Sequence, residues 1–290
     1  MNMSGVAKLN IFLLFFIVAM SGAGVLYYKH THPKYVPPVI VPRQEIDITI
    51  IPGWNLRQIA EDWVKKGIAS STGDVYELLG EPAKNYKADR VKAPTLNIAD
   101  DPEWANLFSD KPAGVSYEGY LFPDTYRVYA DATPEDVLKK IFANLNKKIT
   151  PEMREEIKKQ KKSIYEILTM ASVVEKEAPT KNDMAMVADI FWRRYNKNWA
   201  LQSCATVNYI TGKNDPGVTT EDKETDSLFN TYKYPGLPLG AISSPGLTAI
   251  MATIYPSANN YWYFMSDSDG VTHYAKTLDE HNANVYRYLR

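Results

Sequence analysis

A run of hydrophobic residues without a charge extends from Leu9 to Tyr28 near the start of the chain. At about 1.5 Å per residue, a helix of this length spans the hydrocarbon core of a membrane. We therefore expect a membrane anchor over residues 1–29. A cleaved signal peptide is the alternative, because Ser21 to Gly24 are small enough for a cleavage site. The apolar run continues beyond these residues, which favours the uncleaved anchor.

The next segment, residues 30–45, is predicted to be an extended spacer because it contains four prolines. A small module is expected to follow over residues 46–110, together with its linker. Alternation from Ile46 to Ile51 predicts a strand, Asn55 is placed to cap a helix that ends at Gly67, and Ser70 or Ser71 starts a second helix. A strand followed by two short helices resembles LysM-like carbohydrate-binding modules, and a generic α+β packing module is the alternative.

Three helices dominate the pattern from residue 111 onward, and we assign residues 111–290 to a mixed α+β domain. Hydrophobic residues at helical spacing predict helices over 134–147, 163–178 and 182–195. Thr133-Pro134 and the Ser163/Glu166 pair are typical helix starts. The rest is rich in Gly, Pro, Asn and Tyr, with a short strand over 261–265 and a closing helix from Leu278. The predicted fold class is α+β with an N-terminal transmembrane helix.

The helix over 163–178 contains an acidic residue within its apolar face. That face is formed by residues spaced three and four apart: Ile164, Ile167, Leu168, Ala171, Val174 and Ala178. Glu175 falls inside it, whereas Glu177 falls near the opposite face. Burial raises the pKa of a carboxyl group, which suits a general acid at neutral pH. The alternative, which this pattern alone favours, is a buried ion pair with Arg193 or Arg194.

Composition narrows the chemistry. The net charge of -1 gives no overall attraction for nucleic acid, so we expect no nucleic-acid partner. There is one cysteine, and only four histidines, and the sequence has no nucleophile elbow, P-loop, zinc-protease motif or dinucleotide fingerprint. We expect no metal and no cofactor. Glutamate, aspartate, tyrosine, asparagine and glutamine remain, and these residues are typical of carbohydrate chemistry.

Several motifs occur together from Glu118 onward. They are EGYLFPDTY from Glu118, ASVVEKE from Ala171, Leu201-Gln202-Ser203 with Thr206, Asn230-Thr231-Tyr232, Ser244-Pro245-Gly246, and His273 with His281-Asn282. In this order they resemble the YceG-like endolytic murein transglycosylases. The resemblance covers residues from about Gly114 to the C-terminus, and more loosely the N-terminal module and the anchor.

The resemblance implies a function. Such enzymes cleave the β-1,4 bond between N-acetylmuramic acid and N-acetylglucosamine in nascent peptidoglycan strands, leave 1,6-anhydro ends, and are expected to end strand elongation. The first glutamate of the E-K-E motif is catalytic, which implies Glu175. Candidate partners are peptidoglycan glycan strands and peptidoglycan synthases, and the expected location is the outer, periplasmic side of the inner membrane. Candidate substrate-binding residues, each with a structural alternative, are Glu118, Tyr120, Gln202, Thr206, Asn230 and Tyr232.

The chain departs from the family pattern at three positions. Cys204 stands where an aspartate is usual, Ala205 where a proline often follows, and Leu239 replaces the second proline of L-P-P-G. A thiol cannot replace an ionised carboxylate as an acceptor, so substrate binding or the control of Glu175 could be weaker. The other motifs lead us to expect an active enzyme. A non-catalytic wall-binding scaffold and a lysozyme-type hydrolase are the alternatives.

Overall fold

In the computed structural model, the apolar segment near the N-terminus forms one helix, α1 (Gly5–Thr31). The structure describes residues 5–31, 42–85, 88–89, 91–96, 104–213 and 217–289. An 18-residue stretch within Lys8–Thr31 has a mean hydropathy of 2.3 and is exposed, so this helix is long and apolar enough to cross a membrane. A signal sequence has the same character. Most of the predicted spacer, residues 32–41, lies outside the described residues.

The remaining elements belong to a second compact unit, Gln44–Arg290, and their mixture of helices and strands confirms the predicted α+β content. They are β1 (Glu45–Thr49), α2 (Leu56–Lys65), α3 (Thr72–Leu79), α4 (Ala105–Phe108), β2 (Thr125–Tyr129), α5 (Pro134–Lys148), α6 (Pro151–Lys159), α7 (Ile164–Glu177), α8 (Lys181–Asn196), α9 (Cys204–Thr211), α10 (Thr220–Lys223), α11 (Leu247–Ile254), β3 (Tyr263–Ser266), β4 (Thr272–Ala275) and α12 (Leu278–Tyr288).

Side-chain caps explain where the main helices begin. The side chains of Asn55, Thr133 and Ser163 each accept hydrogen bonds from backbone N–H groups in the first turn of α2, α5 and α7. In each case the side chain three positions later accepts a hydrogen bond from the backbone N–H of the cap residue. These bonds satisfy N–H groups that have no partner within the helix. The predicted helix starts at these residues are confirmed.

Strand β1 pairs with a strand far away in the sequence. It lies antiparallel to β2, with Glu45 opposite Tyr129 and Thr49 opposite Thr125. Helices α2 and α3, which lie between them in the chain, pack against each other. The LysM-like module is not confirmed. The β1–β2 pair joins residues on both sides of the predicted division at residue 110, and that division stays a prediction.

Helix α7 runs through the centre of the second unit, where it contacts α8 and α11. Its buried residues lie on every side, because Thr169, Met170, Ser172 and Val173 are as inaccessible as the predicted apolar face. Partly exposed residues are found only in its first and last turns. The interpretation that α7 has one buried face and one solvent face is therefore wrong, which matters for its two C-terminal glutamates.

Candidate active site

Glu175 lies on the last turn of α7, half-buried, and faces the start of another helix. The backbone N–H of Gly246 donates to Glu175 Oε2 at 2.9 Å. Gly246 is the N-cap of α11, and it has no side chain with which to cap that helix. The carboxyl group of Glu175 therefore lies at the positive end of the α11 dipole.

Two opposing effects act on the ionisation of Glu175. Burial raises its pKa above the ordinary glutamate value, while the Gly246 N–H and the charge of Lys176 lower it. The net direction is upward, so the acid holds its proton to a higher pH than an exposed glutamate does. This is the behaviour that a general acid requires.

An open pocket of about 570 Å³ surrounds Glu175. Its apolar wall consists of residues from four separate segments: Pro52, Phe122, Pro123, Pro179, Met184 and Leu247. Its polar lining, apart from Glu175, includes Asp124, Lys148, Lys181 and Thr248. A pocket that combines apolar and polar groups around one half-buried acid has the mixed lining of a ligand site.

A turn from the N-terminal part of the unit lies beside Glu175 and is held in place by backbone bonds. Gly53 N–H donates to Ser244 O at 2.9 Å, and Ser244 N–H donates to Trp54 O at 2.7 Å. Lys176 Nζ also donates to Gly53 O at 3.4 Å. Gly53 has a φ of +80°, which favours glycine at this position. The Pro52-Gly53 turn forms part of the wall of the Glu175 pocket.

A second pocket, of about 700 Å³, also has Pro52 and Gly53 in its wall and contains Glu177. Ser203 Oγ donates to Glu177 Oε1, and Ala205 N–H donates to the same oxygen at 3.5 Å. Burial raises the pKa of Glu177, and the Ser203 and Ala205 bonds and the charge of Arg194 lower it. Glu177 is partly buried, like Glu175, and its carboxyl group is held by donors from the start of α9.

The two arginines considered as ion-pair partners for Glu175 have other contacts. Arg193 pairs with Asp189 at 2.8 Å. Arg194 donates to the carbonyl oxygens of Leu201 and Trp262 at 2.5 and 2.6 Å. Among the described residues, neither forms an ion pair with Glu175. The alternative of a buried Glu175–arginine pair therefore lacks its partner in this part of the structure.

Glu118 and Tyr120, predicted to bind substrate, are buried. Glu118 Oε2 accepts bonds from Leu56 N–H at 3.0 Å and from Tyr209 Oη at 3.1 Å. Burial raises the pKa of Glu118 to about 7, against the lowering effect of these bonds. The Tyr120 ring lies in an aromatic cluster with Phe108, with ring centres 5.0 Å apart. These contacts give both residues a place in the core.

The other four candidates lie around the loop before α9 and the segment after α10. Thr206 and Asn230 are buried, with Thr206 Oγ1 at 2.9 Å from Thr231 Oγ1. Gln202 is exposed and has a φ of +57°, and Tyr232 is half-buried with its Oη at 3.1 Å from Cys204 Sγ. None of the six candidates lines the Glu175 pocket. Their assignment to substrate stays a prediction.

The sequence reasoning did not select several residues that surround Glu175. Ser244-Pro245-Gly246 was noted as a motif, but nothing placed Gly246 against Glu175. Lys148 follows the predicted end of one helix and Lys181 precedes the predicted start of another, and the only available signal was that these helices flank the acidic one in sequence. Among the described residues, no group of three or more His, Cys, Asp or Glu side chains is placed to hold a metal ion.

A family model described as YceG-like matches residues 29–287, which is most of the chain. The chain belongs to the YceG-like family. The endolytic murein transglycosylase of Bacillus subtilis (strain 168) is 39% identical over 173 residues, which cover 59% of this chain and 48% of that protein. The endolytic murein transglycosylase of Streptococcus pneumoniae serotype 2 is 31% identical over 250 residues, covering 83% of this chain and 44% of that protein.

A solved structure extends the likeness to the fold. The crystal structure of a YceG-like protein from Listeria monocytogenes has a TM-score of 0.67 and 32% sequence identity, and the match covers 90% of this chain and 80% of that one. The chain spans under half the length of the two curated endolytic murein transglycosylases described above.

Proposed function

We propose that this protein is a membrane-anchored endolytic peptidoglycan transglycosylase in which Glu175 is the acid and the base. The observation that carries the proposal is the half-buried Glu175 carboxyl group in an open pocket, with a pKa raised by burial and one N–H bond from Gly246. The two curated relatives, both named endolytic murein transglycosylases, support the same activity.

In the first step, protonated Glu175 donates its proton to the oxygen of the β-1,4 bond between N-acetylmuramic acid and N-acetylglucosamine. The bond between that oxygen and C1 of muramic acid breaks as the proton is transferred. The ionised Glu175 that results is stabilised by the Gly246 N–H at 2.9 Å and by the positive end of α11. Gly246 thus favours the charged product of the step.

In the second step, Glu175 takes the proton from the C6 hydroxyl of the same muramic acid, and that oxygen forms a bond to C1. The product has a 1,6-anhydro end, and Glu175 is protonated again. Glycosidases that use water generally need two carboxyl groups. Here the nucleophile belongs to the substrate, so its effective concentration is high and one carboxyl group suffices.

The location follows from α1 and from the substrate. The Lys8–Thr31 helix would hold the enzyme in the inner membrane as a single-pass protein, with the second unit on the outer, periplasmic side where peptidoglycan is assembled. In that position the enzyme would act on nascent strands and limit their elongation, beside the synthases that make them. A cleaved signal peptide would release the second unit instead, which membrane fractionation of the full chain distinguishes.

Mass spectrometry of digested peptidoglycan tests the reaction. We expect internal cleavage of strands with 1,6-anhydro-muramic ends. Reducing ends would indicate a hydrolase that uses water. A folded protein that binds strands without cutting them would indicate a wall-binding scaffold, and either result would overturn the proposed reaction.

A further inference from the structure

Two ammonium groups border the Glu175 pocket from different helices. Lys148 is the last residue of α5 and Lys181 is the first residue of α8, and both line the pocket. Lys148 Nζ lies 5.6 Å from the centre of the Phe122 ring, which forms part of the apolar wall. Neither lysine forms an ion pair with a carboxylate in the part of the chain that the structure describes. Both charges are available to a ligand.

The position of Lys181 is unfavourable for the helix that it begins. The N-terminus of a helix carries a partial positive charge, so an ammonium group there is repelled. The N-terminus of α11 reaches the same pocket through Gly246, Leu247 and Thr248, and α11 has no side-chain cap. The first turn of α11 has no acidic residue, so this helix end adds positive potential beside the two lysines.

The remaining acidic residue of the pocket is already bonded within the protein. Asp124 Oδ2 accepts a bond from Asn144 Nδ2 at 2.9 Å, and Asp124 Oδ1 accepts one from Thr125 N–H at 2.9 Å. With Glu175 protonated, as the first step requires, the pocket contains two positive side chains and one negative side chain. The charge balance favours an anionic group on the bound ligand.

We propose that Lys148 and Lys181 form a carboxylate-binding subsite for the substituent that muramic acid carries on its lactyl group. The inference rests on the proposed function and adds the charge class of the substrate. Ammonium groups bind carboxylates through charge-assisted hydrogen bonds. A muramic acid with a peptide stem offers the carboxylates of the peptide, and one without a stem offers the lactyl carboxylate itself. N-acetylglucosamine carries neither, so the subsite would fix which sugar lies on each side of the cleaved bond.

Kinetics with three substrates test the subsite: strands with peptide stems, strands without stems, and strands without stems whose lactyl carboxylates are methyl-esterified. The variants are Lys148→Gln, Lys181→Gln and the double variant. Lys147→Gln is the matched control, because Lys147 is exposed, precedes Lys148 in the last turn of α5, and does not line the pocket. Binding of each substrate is measured in parallel by calorimetry.

For stem-bearing strands we expect each single variant to raise KM about three-fold and the double variant about ten-fold, with kcat unchanged. High salt should raise the wild-type KM toward that of the double variant. A KM increase confined to stem-bearing strands identifies the peptide carboxylates as the ligand. A KM increase on strands without stems that is absent on the methyl-esterified strands identifies the lactyl carboxylate.

Wild-type KM values for the double variant on all three substrates would overturn the subsite, and so would an equal increase on the esterified strands. If wild-type protein cuts none of the substrates, the proposed reaction fails, but the calorimetric arm still decides the subsite. In that case a loss of affinity in the double variant for carboxylate-bearing strands alone supports it, and unchanged affinity contradicts it.

Discussion

Two glutamates, Glu175 and Glu177, lie two residues apart on the last turn of α7 and have different surroundings. Each accepts a bond from a backbone N–H at the start of a helix, Glu175 from Gly246 of α11 and Glu177 from Ala205 of α9. Each forms part of the lining of a separate pocket, and Pro52 lines both pockets.

The two differ in what else they bind. Glu177 also accepts the Ser203 hydroxyl and lies close enough to Arg194 for that charge to lower its pKa. Glu175 accepts the Gly246 N–H alone among the described residues, which leaves Oε1 available to a substrate. A helix N-terminus thus stabilises both carboxyl groups, but only the one with few internal partners is suited to proton transfer.

The largest effect is expected for Glu175→Gln. An amide cannot donate the proton to the glycosidic oxygen and then take one back, so strand cleavage should fall by a factor of about 100 to 10,000. Release of anhydro-muropeptides, followed by chromatography, measures this loss. Thermal melting is the folding control, and the melting temperature should stay the same or rise because a partly buried acid is removed. A variant with near wild-type cleavage would remove Glu175 from the mechanism.

Glu118 extends the comparison to a carboxyl group that is fully buried. Its pKa is raised to about 7, so the folded protein holds a proton between pH 4.5 and about 7 that the unfolded chain releases. Stability is therefore fully present below pH 4.5 and is lost as the pH rises to about 7, by roughly 3 kcal/mol. Glu118→Gln should flatten this slope, as measured by urea unfolding at several pH values. The exposed Glu61→Gln on α2 should keep it.

The pH dependence of cleavage tests whether the surroundings of Glu175 set the pKa of its carboxyl group. Since the raised pKa keeps Glu175 protonated, kcat/KM should fall as the pH rises through that pKa. Lys176 lowers the pKa of Glu175, so Lys176→Gln should move the fall to higher pH. Lys147→Gln should leave the profile in place. A shift of the Lys176 variant to lower pH would contradict this assignment of charges.

The smallest effect is expected for Glu177→Gln. A glutamine oxygen can still accept the bonds from Ser203 Oγ and Ala205 N–H, so the start of α9 should keep its conformation. These bonds become neutral in the variant, which costs about 1 kcal/mol, or a change of up to about five-fold in strand cleavage. The assay used for Glu175→Gln measures it. Equal losses in the two variants would end the distinction between the glutamates.

Local sequence patterns predicted the main helices of the second unit. Helices α5, α7 and α8 begin and end within a residue or two of their predicted bounds, because their caps and apolar spacing are local properties. The hydrogen-bond partners of Glu177 could not be predicted in this way. They are Ser203 and Ala205, which lie more than twenty residues away and reach Glu177 only through the tertiary fold.

The candidate site was predicted in part for the same reason. A carboxyl group in the buried part of α7 can be inferred from helical spacing, but its single N–H donor and the turn beside it come from segments around residues 246 and 53. In the sequence, Lys148 and Lys181 resemble ordinary lysines at helix ends. Only the fold brings both helix ends to one pocket. The spacing of residues along one helix does not show which other helices lie beside it.

The β1–β2 pair has a consequence for the order in which the chain folds. The hydroxyl groups of Thr49 and Thr125 lie 3.0 Å apart although 76 positions separate them. Closing so long a loop is slow compared with forming the helices between its ends. During synthesis, β1 would remain unpaired for roughly 4 to 15 s until β2 is made. A fragment that begins at residue 111 would never acquire β1, and β2 would expose an unpaired edge that favours aggregation.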